Sequence, residues 1–123
     1  MAKKILVVDD EKTIVDLVKF RLEKLDYKVH TALSGVEALE IAKNKDFDLV
    51  ILDIMMPGMD GYKVLEKLRQ NKKFEDTPVM FLTAKNTDND LWEGWQSGVD
   101  YYVTKPFSGD ELLRAVRLCL KEN

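Results

Sequence analysis

Five short apolar runs, each followed by a segment of helical period, divide the chain from end to end. The runs are Lys4 to Asp9 (KILVVD), Lys28 to Ala32 (KVHTA), Leu49 to Asp53 (LVILD), Val79 to Thr83 (VMFLT) and Asp100 to Thr104 (DYYVT). Ile14, Leu17, Val18, Leu22 and Leu25 recur at helical spacing, as do Ala38, Ile41 and Ala42, then Val64, Leu65 and Leu68. Leu91, Trp92 and Trp95 form a fourth apolar set, and Leu112, Leu113, Val116 and Leu120 a fifth. Ser34 with Glu37 and Ser108 with Glu111 have the spacing of capping boxes, which places helix starts at those serines. Consecutive parallel strands need a crossover, usually a helix, so this alternation predicts an α/β fold with a parallel sheet and right-handed connections. The first, third and fourth runs are almost wholly apolar and suit central strands covered on both faces. The second is more polar and suits an edge.

Composition narrows the function classes. At 123 residues, 46% hydrophobic and 33% charged, the sequence reads as one folded unit over 1–123, without linker, repeat or low-complexity tract. Its 19 Lys and Arg against 22 Asp and Glu leave a net charge of −3, which lacks the basic excess of a nucleic-acid-binding surface. The single Cys119 forbids an intrachain disulfide and points to a reducing, cytoplasmic setting. Ile5 to Val8, followed at once by acids, is too short for a leader, and no stretch approaches the ~18 apolar residues of a membrane span.

In an open parallel sheet, ligands bind beyond the carboxyl ends of the strands. The first run ends in Asp9, Asp10 and Glu11, the third in Asp53, the fourth in Thr83, and the fifth is followed by Lys105, Pro106 and Phe107. Carboxylates gathered at one edge repel, by about 4 kcal/mol for a pair ~4 Å apart at an effective dielectric near 20. A divalent cation offsets this. With no Cys or His to join them, the acids suit a hard cation, Mg²⁺ or alternatively Mn²⁺, which keeps positions open for phosphate oxygens. Lys105 and the Thr83 hydroxyl would complete a cradle for a phosphoryl group. Its acceptor could be a carboxylate, Thr83 or water, and Asp53 is the best placed because its strand is central. Taken singly, each of these residues has a plainer reading, as a helix cap, a strand end or a solvated charge.

These residues stand in four motifs: ILVVDDE at 5–11, LVILDIMMPGMDG at 49–61, VMFLTA at 79–84 and GVDYYVTKPF at 98–107. In them the chain resembles the receiver domains of two-component response regulators, typified by the chemotaxis regulators. The resemblance implies a flavodoxin-like doubly wound fold, with a five-stranded parallel sheet in order 2-1-3-4-5 flanked by five helices. It implies that Asp53 accepts a phosphoryl group from the phosphohistidine of a sensor histidine kinase or phosphotransfer protein. Asp10 and Asp53 would hold Mg²⁺ directly, Asp9 through water, and Met55 through its backbone carbonyl. Thr83 and Lys105 would contact the phosphoryl oxygens, and the Lys105–Pro106 peptide would be cis. Thr83 and Tyr102 would form the switch, altering a face of helix four, strand five and helix five that an effector protein or output domain reads. A dimer formed on phosphorylation belongs to the same set of expectations. Such a domain promotes its own phosphorylation and dephosphorylation but is not an enzyme acting on a separate substrate.

Several residues carry narrower expectations. Trp92 and Trp95 stand where the family has aliphatic core residues, so packing is expected of them ahead of the other reading, a partner-binding aromatic patch, and Tyr101 is placed beside the output face. Lys85 and Met55 occupy positions that tune phosphoryl lifetime. His30, on the edge strand, is expected to be neither ligand nor phosphodonor, and Gly58 and Gly61 are assigned to loop geometry. A flavin module of similar topology is disfavoured, because DDEKT after the first strand would repel a bare phosphate. An aspartate-nucleophile phosphatase would carry a second Asp two residues after Asp53, where this chain has Met55. A pseudo-receiver that binds protein without taking phosphate is the remaining alternative.

Overall fold

Each apolar run pairs as a strand in the computed structural model, which describes residues 2–122. The strands are β1 (Lys4–Val8), β2 (Lys28–Ala32), β3 (Leu49–Leu52), β4 (Val79–Thr83) and β5 (Tyr101–Thr104). They form one parallel sheet in the order β2-β1-β3-β4-β5, so the polar second strand is an edge and the three most apolar strands are internal. The helices are α1 (Lys12–Glu23), α2 (Gly35–Asn44), α3 (Gly61–Gln70), α4 (Asp88–Gln96) and α5 (Gly109–Cys119), with a single 3₁₀ turn at Lys72–Phe74 after α3. None of these helices is long and apolar enough to cross a membrane.

Because strand side chains alternate, the sheet feeds two cores. Leu6, Val8, Val50, Leu52 and Phe81 pack with α2 and α3 through Ala38, Ala42, Val64 and Leu68. Ile5, Val7, Ile51, Met80 and Leu82 pack on the other face with α1 and α5 through Val18, Leu22, Leu112 and Val116. Each of the larger of these side chains, taken out of water, contributes about 1.5–3 kcal/mol. Register then aligns the strand ends: Val8 lies beside both Ala32 and Leu52, and Thr83 beside Thr104.

The structure corrects several local expectations. The pairing ends one residue early at β1 and β3, so Asp9 and Asp53 stand just past the last paired positions. Their amides remain anchored, Asp9 N–H donating to the Ala32 carbonyl (3.2 Å) and Asp53 N–H to that of Val8 (3.0 Å). The Ser108–Glu111 capping box closes in both directions, whereas Glu37 reaches back to the Leu33 amide, one residue before the Ser34 cap. Thr87 and Asp90 form another box at α4, and Asp60 caps α3. In α1 the buried stripe is Val15, Val18 and Leu22. Leu17 and Leu25 lie off it and are 40% exposed.

The largest correction concerns α4. Trp92 and Trp95 are not core residues but are 64% and 48% exposed, while Gly94 is the residue this helix buries. A tyrosine ring from β5 fills the space beside the glycine, and the two indoles are turned outward by that helical phase.

Candidate functional site

Four loops converge where the parallel strands end. Asp9 follows β1, Asp53 follows β3, Thr83 closes β4 and Lys105 follows β5. Asp9, Asp53 and Thr83 are 2%, 3% and 0% exposed, whereas Asp10 is open to solvent. Ligand oxygens of Asp9, Asp10 and Asp53 all lie within 4.8 Å of one another. The Lys105 ammonium reaches in from the opposite side, 2.7 Å from Asp9 Oδ2, 3.1 Å from Glu11 Oε1 and 3.4 Å from Asp53 Oδ2. The Lys105–Pro106 peptide is cis.

Backbone amides orient the carboxylates. The Met55 N–H donates to Asp53 Oδ1 (3.1 Å) and the Glu11 N–H to Asp9 Oδ1 (2.9 Å). The Lys85 N–H makes a long contact to Thr83 Oγ1 (3.5 Å). These contacts tie the reactive side chains to the loops that leave the sheet, so any loop movement moves the site.

The charges do not balance. Burial pushes the Asp9 carboxyl up to about 6, against the Lys105 and Glu11 contacts that favour its ionised form, and the neighbouring Asp53 charge adds to the rise. Burial by itself would weaken the Lys105 ammonium, but Asp9, Glu11 and Asp53 outweigh it and hold the lysine above its ordinary range. Three clustered carboxylates around one lysine, with hard oxygen donors and no sulfur or imidazole among them, fit a divalent cation of the Mg²⁺ type.

This gives a pH prediction with a definite sign. In the metal-free protein the fold favours neutral Asp9, so its contribution to stability is full below the ordinary 3.8 and is lost as pH rises through about 6. Cation binding runs the other way, because the ligand must be ionised. Mg²⁺ affinity is expected to fall by roughly tenfold per pH unit below about 6. Calorimetric titration of Mg²⁺ at about pH 5 and about pH 7 checks this, and equal affinities at the two pH values would contradict it.

A second cluster adjoins the first. Tyr102, on β5, is 9% exposed. It donates its hydroxyl hydrogen to the Lys85 carbonyl (2.8 Å), and its ring meets Phe81 edge-to-face at 6.0 Å. Burial first, and Asp90 next, push its phenol up to about 12, so it stays protonated as a donor. A Cβ at Gly94 would lie 2.6 Å from Tyr102 Cδ2 and closer still to Cε2, so the bare glycine is what admits the ring. Lys85 links the clusters: its amide faces Thr83 and its carbonyl holds Tyr102.

Two glycines near the site have roles that differ from or go beyond the sequence reading. Gly61 is not a loop glycine but the first residue of α3, where a Cβ would sit 2.7 Å from Ile54 Cα and closer to the Asp53 carbonyl. Gly58, by contrast, has φ +80°, and its assignment to loop geometry agrees with that. Gly94 gave no signal beyond being a glycine inside a helical pattern. His30 lies on edge strand β2 against Phe47, and burial with nearby Lys45 and Lys19 lowers its basicity.

Comparison with known proteins follows the same residues. A family model described as the response regulator receiver domain matches residues 5–117. The chain belongs to the response regulator receiver family. Among solved receivers, the chemotaxis protein CheY4 of Vibrio cholerae is 32% identical with a TM-score of 0.92, covering 98% of this chain and 100% of that one. The Francisella response regulator 1452 receiver domain is 38% identical with a TM-score of 0.88, over 97% of each chain. The BeF3-activated receiver domain of DrrB, a Thermotoga maritima protein, is 35% identical with a TM-score of 0.88, covering 99% of this chain and 100% of that one. This receiver is therefore a two-component signalling domain with the flavodoxin-like order 2-1-3-4-5.

Proposed function

We propose that this receiver takes a phosphoryl group on Asp53 from the phosphohistidine of a sensor histidine kinase or phosphotransfer protein. The observation that carries the reading is the placement of a buried Asp53 carboxylate 3.4 Å from the Lys105 ammonium and within 4.8 Å of the Asp9 and Asp10 oxygens. An Asp53 oxygen attacks phosphorus, the P–O bond forms as the P–N bond breaks, and the departing imidazole keeps the bonding pair and takes up a proton. Mg²⁺, or Mn²⁺ in its place, held by Asp10, Asp53 and the Met55 carbonyl with Asp9 acting through water, would neutralise charge on the transferring group. Lys105 and Thr83 supply an ammonium and a hydroxyl to the remaining oxygens.

Phosphorylation adds about 1.5–2 negative charges and three acceptors beside Thr83. It acts as a switch because Lys85 joins Thr83 to Tyr102, so a shift of Thr83 toward phosphate is felt by the Tyr102 hydroxyl. The α4–β5–α5 face then changes for an effector protein, an output domain or a second receiver. The receiver acts in the cytoplasm, neither binding nucleic acid itself nor turning over a separate substrate. The pseudo-receiver reading is weaker because acids, hydroxyl, acceptor and lysine are all present and gathered.

Incubation with acetyl phosphate and Mg²⁺ should add one phosphoryl group, seen by intact mass as an acid-stable, base-labile adduct. Omission of Mg²⁺ should abolish it. Absence of any adduct from acetyl phosphate and from a panel of phosphorylated kinases would count for the pseudo-receiver.

A further inference from the structure

Glu11 makes a contact that the phosphoryl chemistry above does not use. It stands at the cap position of α1, where a carboxylate ordinarily accepts a backbone N–H or faces the positive end of the helix, yet its side chain makes no cap bond. Instead Glu11 Oε1 lies 3.1 Å from the Lys105 ammonium, with 58% of the glutamate side chain open to solvent. The oxygens that cluster within 4.8 Å belong to Asp9, Asp10 and Asp53, and Glu11 is not among them. An ammonium has three N–H donors. Asp9, Glu11 and Asp53 take all of them, at 2.7, 3.1 and 3.4 Å. A phosphoryl group that arrives while Asp53 is still a carboxylate therefore finds no free donor on Lys105, and one partner has to yield. Asp9 is 2% exposed, and removing its lysine would leave a buried charge unpaired. Asp53 is the attacking group. Glu11 is the partner that can let go at little cost, because water already reaches it.

We propose that Glu11 sets the donor preference of the site. It holds Lys105 until a phosphoryl group displaces it, and its charge at the mouth then disfavours a donor according to that donor's own negative charge. The inference deepens the proposed function, on which it rests for the identity of the acceptor. At neutral pH acetyl phosphate is doubly charged and phosphoramidate singly charged, so Glu11 favours donors with a P–N bond, the class to which phosphohistidine belongs. Both reactions place the same group on an Asp53 oxygen. With acetyl phosphate the P–O bond to the acetyl group breaks and acetate leaves with the bonding pair. With phosphoramidate, protonated on nitrogen, the P–N bond breaks and ammonia leaves with the pair. Glu11 is a positioning residue in this scheme, acting through Lys105 and through its charge.

The test compares the unsubstituted chain with Glu11→Gln, which keeps the side chain's length and removes its charge. Uptake from acetyl phosphate and from phosphoramidate is followed by intact mass at saturating Mg²⁺ and low salt. The substitution should speed uptake from acetyl phosphate by at least about sixfold and from phosphoramidate by about twofold or less, shifting the ratio of the two rates by at least about threefold. Raising the salt should shrink that shift, because screening acts on the same charge. Mg²⁺ affinity, titrated calorimetrically with no donor present, should change by less than about threefold, because Glu11 is not placed as a ligand. An unchanged donor ratio alongside normal uptake would overturn this inference and leave the proposed function standing. Equal slowing with both donors would make Glu11 a structural residue, and a loss of about tenfold or more in Mg²⁺ affinity would make it a metal ligand. Either result overturns the inference. Failure of both chains to take up phosphate from either donor would remove the proposed function and this inference with it.

Discussion

Asp53→Asn is expected to take up no phosphoryl group from acetyl phosphate or a kinase, a loss of more than about a thousandfold in rate, while the protein stays folded. The amide keeps an oxygen for the Met55 N–H, which now reaches Asp53 Oδ1 at 3.1 Å, so the loop after β3 retains its anchor. It removes the attacking carboxylate and one of three clustered charges. Because the Asp53 charge raises the cost of ionising buried Asp9, unfolding in the absence of metal should become harder by about 0.5–2 kcal/mol. Chemical denaturation and intact mass on the same sample read both effects. Loss of stability together with loss of uptake would recast Asp53 as a structural residue.

The second large effect concerns two glycines with opposite consequences. Gly61→Ala would drive a Cβ into the Asp53 carbonyl and Ile54 Cα, both backbone, with no side chain able to swing away. The expected cost is about 1–3 kcal/mol or more, with slower phosphoryl uptake because the loop carrying Asp53 is displaced. Gly94→Ala would instead meet the Tyr102 ring first, a side chain and not backbone. That substitution should release the Tyr102 hydroxyl from Lys85 and expose the ring while leaving phosphoryl uptake intact. In a Tyr102→Ala background the same Gly94→Ala change should stabilise α4 by about 1 kcal/mol, the helix propensity gained when nothing blocks the methyl. A cost that persisted in that background would show that the ring is not what the glycine accommodates.

The parallel sheet and the gathering at its strand ends were legible because both follow from the alternation of apolar runs with helical segments, whereas the order of the strands came only from the resemblance carried by the four motifs. Near-continuous apolar runs in β1, β3 and β4 mark strands buried on both faces, and alternation with helices implies parallel pairing, which puts Asp9, Asp53, Thr83 and Lys105 on one edge. The phase of α4 was not legible. Leu91, Trp92 and Trp95 look like an inward stripe in sequence, but Gly94 and Tyr102 complete the packing across two elements, and no local pattern records a cavity filled from elsewhere. Gly61 was misassigned for the same reason, since the atoms that crowd it belong to the end of β3, seven and eight residues earlier. The part played by Glu11 as a third partner of Lys105 likewise depends on the approach of β5 to β1 across β3 and β4.

The function proposed for this receiver depends on one bond, between phosphorus and an Asp53 oxygen. Borohydride reduces an acyl phosphate to the alcohol, so treating the loaded protein and sequencing its peptides by mass spectrometry marks the acceptor covalently. The account predicts homoserine at position 53 and nowhere else, dependent on Mg²⁺ during loading. Homoserine at position 9 or 10, a borohydride-resistant phosphate on Thr83, or a chain left unmodified after every donor would contradict it.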